Sequence, residues 1–168
     1  MHLTVLTAVL LSVGFLGVVT DGAHTTIAHI FCMSLKDVPC GNGWNRIDAE
    51  YCVKYFQTPK SYDDAQKHCE SLKSELVPMK TIEQSWNAVC LTMRASIKNK
   101  SVWIGVRRSG GKFIHADGSK LEVGLWAPGQ PDNYGEDEDC VEVNHKEWGL
   151  WNDDNCSDEN AFMCAKKM

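Results

Sequence analysis

The chain has 168 residues, a net charge of −5 and eight cysteines. That acidity argues against nucleic acid or an anionic membrane surface as a partner, because both attract basic proteins. With a 22-residue leader set aside, about 145 residues remain, enough for one domain with a substantial core.

In chain order, His2 precedes an apolar run from Leu3 to Val19, which ends at Thr20, Asp21 and Gly22. Residues 1–22 read as a secretory signal; an anchor is the competing reading, since the n-region has no Lys or Arg. Gly14, Gly17 and the absence of a flanking basic cluster suit a cleaved signal better than a retained span, so no membrane insertion is expected. A short segment, 23–39, then leads to a single domain over 40–168. In a secreted chain Cys32, Cys40, Cys52, Cys69, Cys90, Cys140, Cys156 and Cys164 read as disulfide formers. Zinc is the rival, but no two cysteines sit at C-x-x-C spacing and none is followed by a close pair of histidines.

Ser61-Tyr62-Asp63-Asp64 resembles a capping box, and Ala65, Cys69 and Leu72 recur at helical spacing, which predicts a helix from Ser61 to Lys73. Thr81-Ile82-Glu83-Gln84 repeats the logic. Ile82, Trp86, Val89, Cys90 and Met93 fall on one face of a second helix, from Thr81 to Ser96. A sequon at Asn99 follows, where a glycan is expected. The pattern then changes to short runs bounded by Gly, Asp and Pro: Val102 to Val106, Lys112 to Ala116, Cys140 to Asn144 and Ala161 to Ala165. These read as strands, with a turn at Asp117-Gly118, and the whole as an α+β domain. Basic pairs such as Arg107-Arg108 and Lys166-Lys167 read as solvated surface. Glu122 to Asp139 has little periodicity and contains Pro128, Gly129, Pro131 and Gly135; a loop that long is usually functional.

The acids concentrate beyond that point. Half of the chain's 22 acidic residues lie between Gln130 and Glu159, where Lys146 is the only Lys or Arg. Packed together they repel unless a cation or solvent compensates. Gln130, Asp132, Glu138, Asn152 and Asp153 are the oxygen donors that calcium takes, six to eight at a time. A solvated acidic loop is the bland alternative. Tyr134, Cys140, Trp148, Trp151, Cys156, Phe162 and Cys164, threaded through the segment, suggest instead a loop pinned to a core. The second sequon, Asn155-Cys156-Ser157, contains a cysteine expected to be bonded and is expected to stay unused.

The order of these signals resembles the C-type lectin-like domain family over Cys40 to Cys164. The resemblance rests on Cys40-Gly-Asn-Gly-Trp44, Tyr51-Cys52, Cys69, Trp103-Ile104-Gly105, Gln130-Pro131-Asp132, Glu138-Asp139-Cys140, Trp151-Asn152-Asp153, Cys156 and Phe162-Met163-Cys164. Each tripeptide alone is weak evidence; the series in this order is strong. It implies the C-type lectin fold: two helices, small antiparallel sheets and a long calcium-binding loop. It also implies disulfides Cys69 to Cys164 and Cys140 to Cys156, with Cys40 to Cys52 for the long form with an N-terminal hairpin. Cys32 and Cys90 lie outside that framework and either pair with each other, the favoured reading, or link two chains.

Carried over by position, the resemblance implies that Gln130, Asp132, Glu138, Asn152 and Asp153 hold Ca2+ and that Pro131 is cis. Gln130, Asp132, Tyr134, Glu138 and Asn152 would then meet sugar. Gln-Pro-Asp resembles the galactose-type order, with Tyr134 placed to cover the apolar face of the ring. The implied partners are terminal galactose or N-acetylgalactosamine glycans on glycoproteins or cell surfaces. The family's auxiliary calcium site draws acids from the loop where this chain has Arg107, Arg108 and Lys112, so that site is expected to be absent or altered and Asp139 structural. His115 replaces a frequent tryptophan as a packing change.

No H-E-x-x-H or G-x-S-x-G motif occurs and the histidines, His68 and His145 among them, are scattered, so the chain does not read as an enzyme. The alternative within the same fold is binding of a protein or ice surface in place of sugar. No heptad segment lies between Gly22 and Cys40, so a homo-oligomer would form through Cys32, Cys90 or domain surfaces.

Overall fold

The computed structural model describes residues 30–95 and 101–168. The leader at 1–22, residues 23–29 and the sequon at Asn99 lie outside the described residues.

Two stretches from opposite ends of the sequence pair to form the middle of the sheet. Tyr51–Lys60 (β3) runs antiparallel to Asn160–Lys167 (β9), from Tyr51 opposite Lys167 to Lys60 opposite Asn160. A hairpin of Pro39–Gly41 (β1) and Trp44–Arg46 (β2) extends the β3 edge. On the other side β9 pairs in parallel with Val102–Ser109 (β5), and Glu75–Leu76 (β4) also adds to β9. Lys112–His115 (β6), Cys140–Val143 (β7) and Trp151–Asp154 (β8) complete the network, with order β1-β2-β3-β9-β5-β7-β8 and β4 and β6 to the side.

Two helices stand where the capping signals place them. Tyr62–Ser71 (α1) starts at Ser61, whose hydroxyl accepts from the Asp64 amide, and Ile82–Ala95 (α2) starts at Thr81, whose hydroxyl accepts from the Gln84 amide at 3.1 Å. Each cap satisfies one N–H that the first turn leaves without a partner. The buried faces differ from the periodicity in detail. Ile82 is 53% exposed in the first turn of α2, and the buried face takes Gln84, Ser85, Ala88 and Thr92 along with Val89, Cys90 and Met93. Leu72 is likewise exposed, as the residue that ends α1.

Polar partners let α2 bury so mixed a face. Gln84 accepts from the Lys80 amide and donates to Asp48, while the Thr92 hydroxyl bonds the Val89 carbonyl at 2.7 Å and receives Asn144 Nδ2 at 3.1 Å. Buried groups so paired cost far less than unpaired ones.

The larger core cluster gathers Tyr51, Val53, Val77, Met79, Val89, Ile104, Val141, Trp151 and Met163. The second packs Tyr62 edge-on against Trp103, their ring centroids 5.7 Å apart, beside Cys69, Leu76, Phe162 and Cys164. His68 closes this cluster by meeting Phe56 and Phe162 edge-on. Disulfides join Cys32 to Cys90, Cys40 to Cys52, Cys69 to Cys164 and Cys140 to Cys156. The Cys32–Cys90 bond packs with Met93 in a small third cluster and joins the N-terminal segment to α2.

Gly105 lets β5 lie against the 76–77 backbone. Its amide donates to the Val77 carbonyl at 2.9 Å, and a Cβ there would sit 2.4 Å from the Leu76 carbonyl oxygen. Gly105→Ala is therefore expected to push β4 off β5 and cost about 1–3 kcal/mol. The denaturant midpoint reads this, and an unchanged midpoint would contradict so close a contact.

Candidate metal centre

The antiparallel hairpin of β7 and β8 sets Val141 opposite Asp153 and Glu142 opposite Asn152. The Cys140–Cys156 bond ties its open end. The long loop is fastened to the same hairpin by main-chain bonds. The Trp151 amide donates to Leu125 O and the Ala127 amide to Trp151 O, both at 2.8 Å. Trp126 packs edge-on against the fully buried Trp151. The loop so pinned then turns through a cis Gln130–Pro131 bond and through Asn133, whose φ of 47° is one Asn tolerates. A short 3₁₀ turn, Tyr134–Glu136, returns the chain toward β7.

Asp153 is the centre of this arrangement. It is 0% exposed, and an unpaired carboxylate in that position would be very costly. Its Oδ1 accepts from the Asp132 amide at 3.0 Å, and its Oδ2 accepts from the Asn133 amide at 3.0 Å and the Arg108 guanidinium at 2.9 Å. Gln130 Oε1 accepts from the Asp132 amide at 3.0 Å. Glu138 Oε2 accepts from the Tyr134 amide at 2.8 Å, and the Glu138 amide donates to Asn133 Oδ1 at 3.0 Å. These bonds bring carboxylate oxygens of Asp132, Glu138 and Asp153 within 4.8 Å of one another.

Asn152 is fixed from behind. It is 6% exposed, and its Nδ2 donates to Glu142 Oε1 at 3.2 Å, which leaves the amide oxygen and the second N–H of Nδ2 to meet a ligand. Glu142, only 2% exposed, also accepts from Asn160 at 3.0 Å and lies 2.9 Å from His145 Nδ1. Burial, and next the charge of Glu142, push the neighbouring Asp154 carboxyl up to about 6. Burial also raises Glu138; the Tyr134 amide acts against that, and the charges of Asp153 and Asp132 add to it.

The donor chemistry fits a hard divalent cation. Three carboxylates this close repel one another, and oxygen-only ligands with mixed carboxylate and amide character suit calcium. Gln130 is tied to the cluster through the Asp132 amide, and Asn152 precedes Asp153 on β8 with its side chain bonded to Glu142. Tyr134 is 80% exposed at the rim rather than packed against the loop.

Several surrounding residues behave differently from their sequence reading. Arg108 is not solvated surface: its side chain is 24% exposed and pairs with Asp139 at 3.1 Å as well as with Asp153. Arg107 is half-exposed, 3.7 Å from Asp63. His115 is buried, which lowers its pKa. Asn155 is engaged by Ser157 and by Asp137, and the Cys156 inside its sequon is disulfide-bonded. Arg108, Asn133 and Glu142 are the site residues the sequence reading passed over. Only Glu142, an acid between two valines in a short strand, carries any signal of its own.

The sequence pattern described as "Lectin C-type domain" matches residues 58–166. A curated relative, "C-type isolectin Sp-CL4" of Scorpaena plumieri, is 44% identical over 80% of this chain and 93% of its own length. The "Alpha-N-acetylgalactosamine-specific lectin" of Patiria pectinifera is 36% identical over 67% of this chain and 72% of its own. Among solved structures, the C-type lectin CEL-I from Cucumaria echinata superposes with a TM-score of 0.70 at 28% identity, covering 76% of this chain and 97% of that one. The chain belongs to the C-type lectin domain family. Domains of this family generally bind calcium, and the chain is a binding domain rather than an enzyme.

Glu142 supplies the prediction from this geometry. Glu142→Gln replaces one of the two acceptor oxygens, which serve Asn152 and Asn160 separately, with a donor, so one of the two amides loses its partner. A stability loss of about 1–3 kcal/mol is expected in chemical denaturation with chelator present. Wild-type stability in that variant would show that the buried carboxylate is not what holds the two amides.

Proposed function

We propose that the chain is a secreted, calcium-dependent lectin whose domain, residues 40–168, prefers galactose or N-acetylgalactosamine glycans on glycoproteins or cell surfaces. The observation that carries this reading is the group of Asp132, Glu138 and Asp153 oxygens within 4.8 Å, with Tyr134 exposed beside it. Gln130, Asp132, Glu138, Asn152 and Asp153 would hold the ion, and calcium when bound offers coordination positions to two adjacent sugar hydroxyls. The same side chains serve the sugar directly: the carboxylates accept from its hydroxyls and the amides of Gln130 and Asn152 donate or accept. Tyr134 presents an aromatic face to the apolar side of the pyranose, excluding water and setting its orientation.

Support for the ligand class comes from the order Gln130-Pro131-Asp132 and from the relative named for α-N-acetylgalactosamine. Four disulfides support an oxidising, extracellular setting. No helix among the described residues is long and apolar enough to cross a membrane.

A glycan array with and without chelator tests the reading. Galactose-type glycans should be retained in calcium and lost in chelator. Asp132→Ala and Glu138→Ala should lose that signal with all four disulfides intact by peptide mapping, and Tyr134→Ala should weaken it about 3–10-fold. Retention of mannose-type glycans alone would refute the galactose preference, and chelator-insensitive binding would refute the role of calcium.

The second test is pH. The ligand carboxylates must be ionised, so protons compete with calcium. With the Glu138 carboxyl raised, that competition begins at a higher pH than for an ordinary exposed glutamate. Calorimetric titration should therefore show calcium affinity falling as the pH drops from neutral toward the raised value. Affinity flat across that interval would mean Glu138 is not a ligand.

A further inference from the structure

Arg108 reaches three parts of the site from one position on β5. Its amide donates to Asp139 O at 2.7 Å, and its Nε lies 3.1 Å from Asp139 Oδ1, a charge contact without the alignment of a hydrogen bond. Its Nη2 donates to Glu138 O at 3.3 Å and to Asp153 Oδ2 at 2.9 Å. The guanidinium is seated over the Phe113 ring, 4.4 Å from its centroid, a cation–π contact that further restrains it.

The consequences spread through the bonds already described. Asp153, held by Arg108, holds the amides of Asp132 and Asn133; Asn133 Oδ1 holds the Glu138 amide; and Glu138 Oε2 holds the Tyr134 amide. Asp132, Glu138 and Asp139 of the loop, and Asp153 opposite them, are thus tied to one guanidinium. That group also supplies positive charge beside carboxylates that repel one another. A planar fork with several fixed donors can make these contacts at once, whereas a lysine ammonium is a point charge on a flexible stem.

We propose that Arg108 is a positioning residue that keeps the 130–139 loop in its ion-binding shape whether or not calcium is present. The proposal rests on the calcium reading for what the loop is kept ready to bind. Its physical consequence is that calcium meets a preformed site and spends none of its binding energy on ordering the loop.

Hydrogen exchange of peptides covering 130–139 tests this, with wild type and Arg108→Gln each measured in calcium and in chelator. Wild type should show similar protection in both. The variant should match wild type in calcium but exchange about tenfold or more faster in chelator, as loss of charge-assisted bonds predicts. If R108Q fails to fold, R108K carries the same comparison, because the single ammonium keeps the charge but not the fork. Equal protection of variant and wild type in chelator would overturn the proposal. So would loss of protection by chelated wild type while its calcium uptake, measured by calorimetry, is intact. Absence of calcium uptake by wild type would instead remove the calcium reading, and with it the claim that Arg108 readies a calcium site.

Discussion

A carboxylate with no exposed surface governs the functional half of this molecule. Asp153 sits on β8 with 0% exposure, and its burial is tolerable only because both oxygens are met by donors. Two of those donors are main-chain amides of the loop, Asp132 and Asn133. The loop's path past them is thereby fixed, and Asn133 takes a left-handed conformation where consecutive amides are presented to one carboxylate. The site geometry follows from solvating a charge that the fold has placed out of reach of water.

The remainder of the fold keeps that charge in place. β3 and β9 join the two ends of the chain, and β5 lies alongside β9 through Val102 and Trp103. β7 pairs with β5, and β8 with β7, so the site hairpin is the outer edge of a sheet whose inner strands β9 and β5 are buried over most of their length. An edge hairpin alone would be free to slip or fray. Three constraints oppose this: Trp151 buried against Trp126, the disulfide from Cys140 to Cys156, and main-chain bonds from Trp151 to Leu125 and Ala127. Behind the hairpin, Glu142 anchors Asn152 and Asn160 together, so one of the two neutral ligand candidates is held by a buried carboxylate.

Local signals were legible in the sequence to the extent that local chemistry decided them. Ser61 and Thr81 mark their helices because a hydroxyl beside three free amides is a cap in almost any context. Trp103-Ile104-Gly105 and the order of the acids pointed to the family and to the site segment. β3 was harder to read: Tyr51-Cys-Val-Lys-Tyr-Phe-Gln-Thr-Pro-Lys60 has no clean alternation, because its first half is buried on both faces and its second half is exposed. Ile82 misled because helical spacing cannot tell that the first turn of α2 projects beyond the core. Arg108 was illegible for a different reason. Its partners lie 30 and 45 residues away, and nothing in an Arg-Arg pair reveals which guanidinium turns inward.

On the proposed reading, holding the ion and choosing the sugar fall to groups in opposite environments. Asp153 and Asn152 are buried and bonded on their inner sides, so substitutions there disturb the fold as well as the ligand set. Tyr134 is 80% exposed and contributes its backbone amide, not its ring, to the loop's internal bonds. The ring is therefore free to vary without cost to the cation cluster, and in the proposed lectin it is where sugar preference would change while the ligand set stays constant. The same separation bears on valency, since a shallow rim contact gives a single site little affinity and invites multivalent binding. Cys32 and Cys90 offered a covalent route to a dimer, but they are bonded to each other, and no cysteine in the chain is left free. In the proposed lectin, a dimer of this domain would form through noncovalent contact between domain surfaces, so the strength of multivalent binding would depend on protein concentration in a way that a disulfide-linked dimer would not.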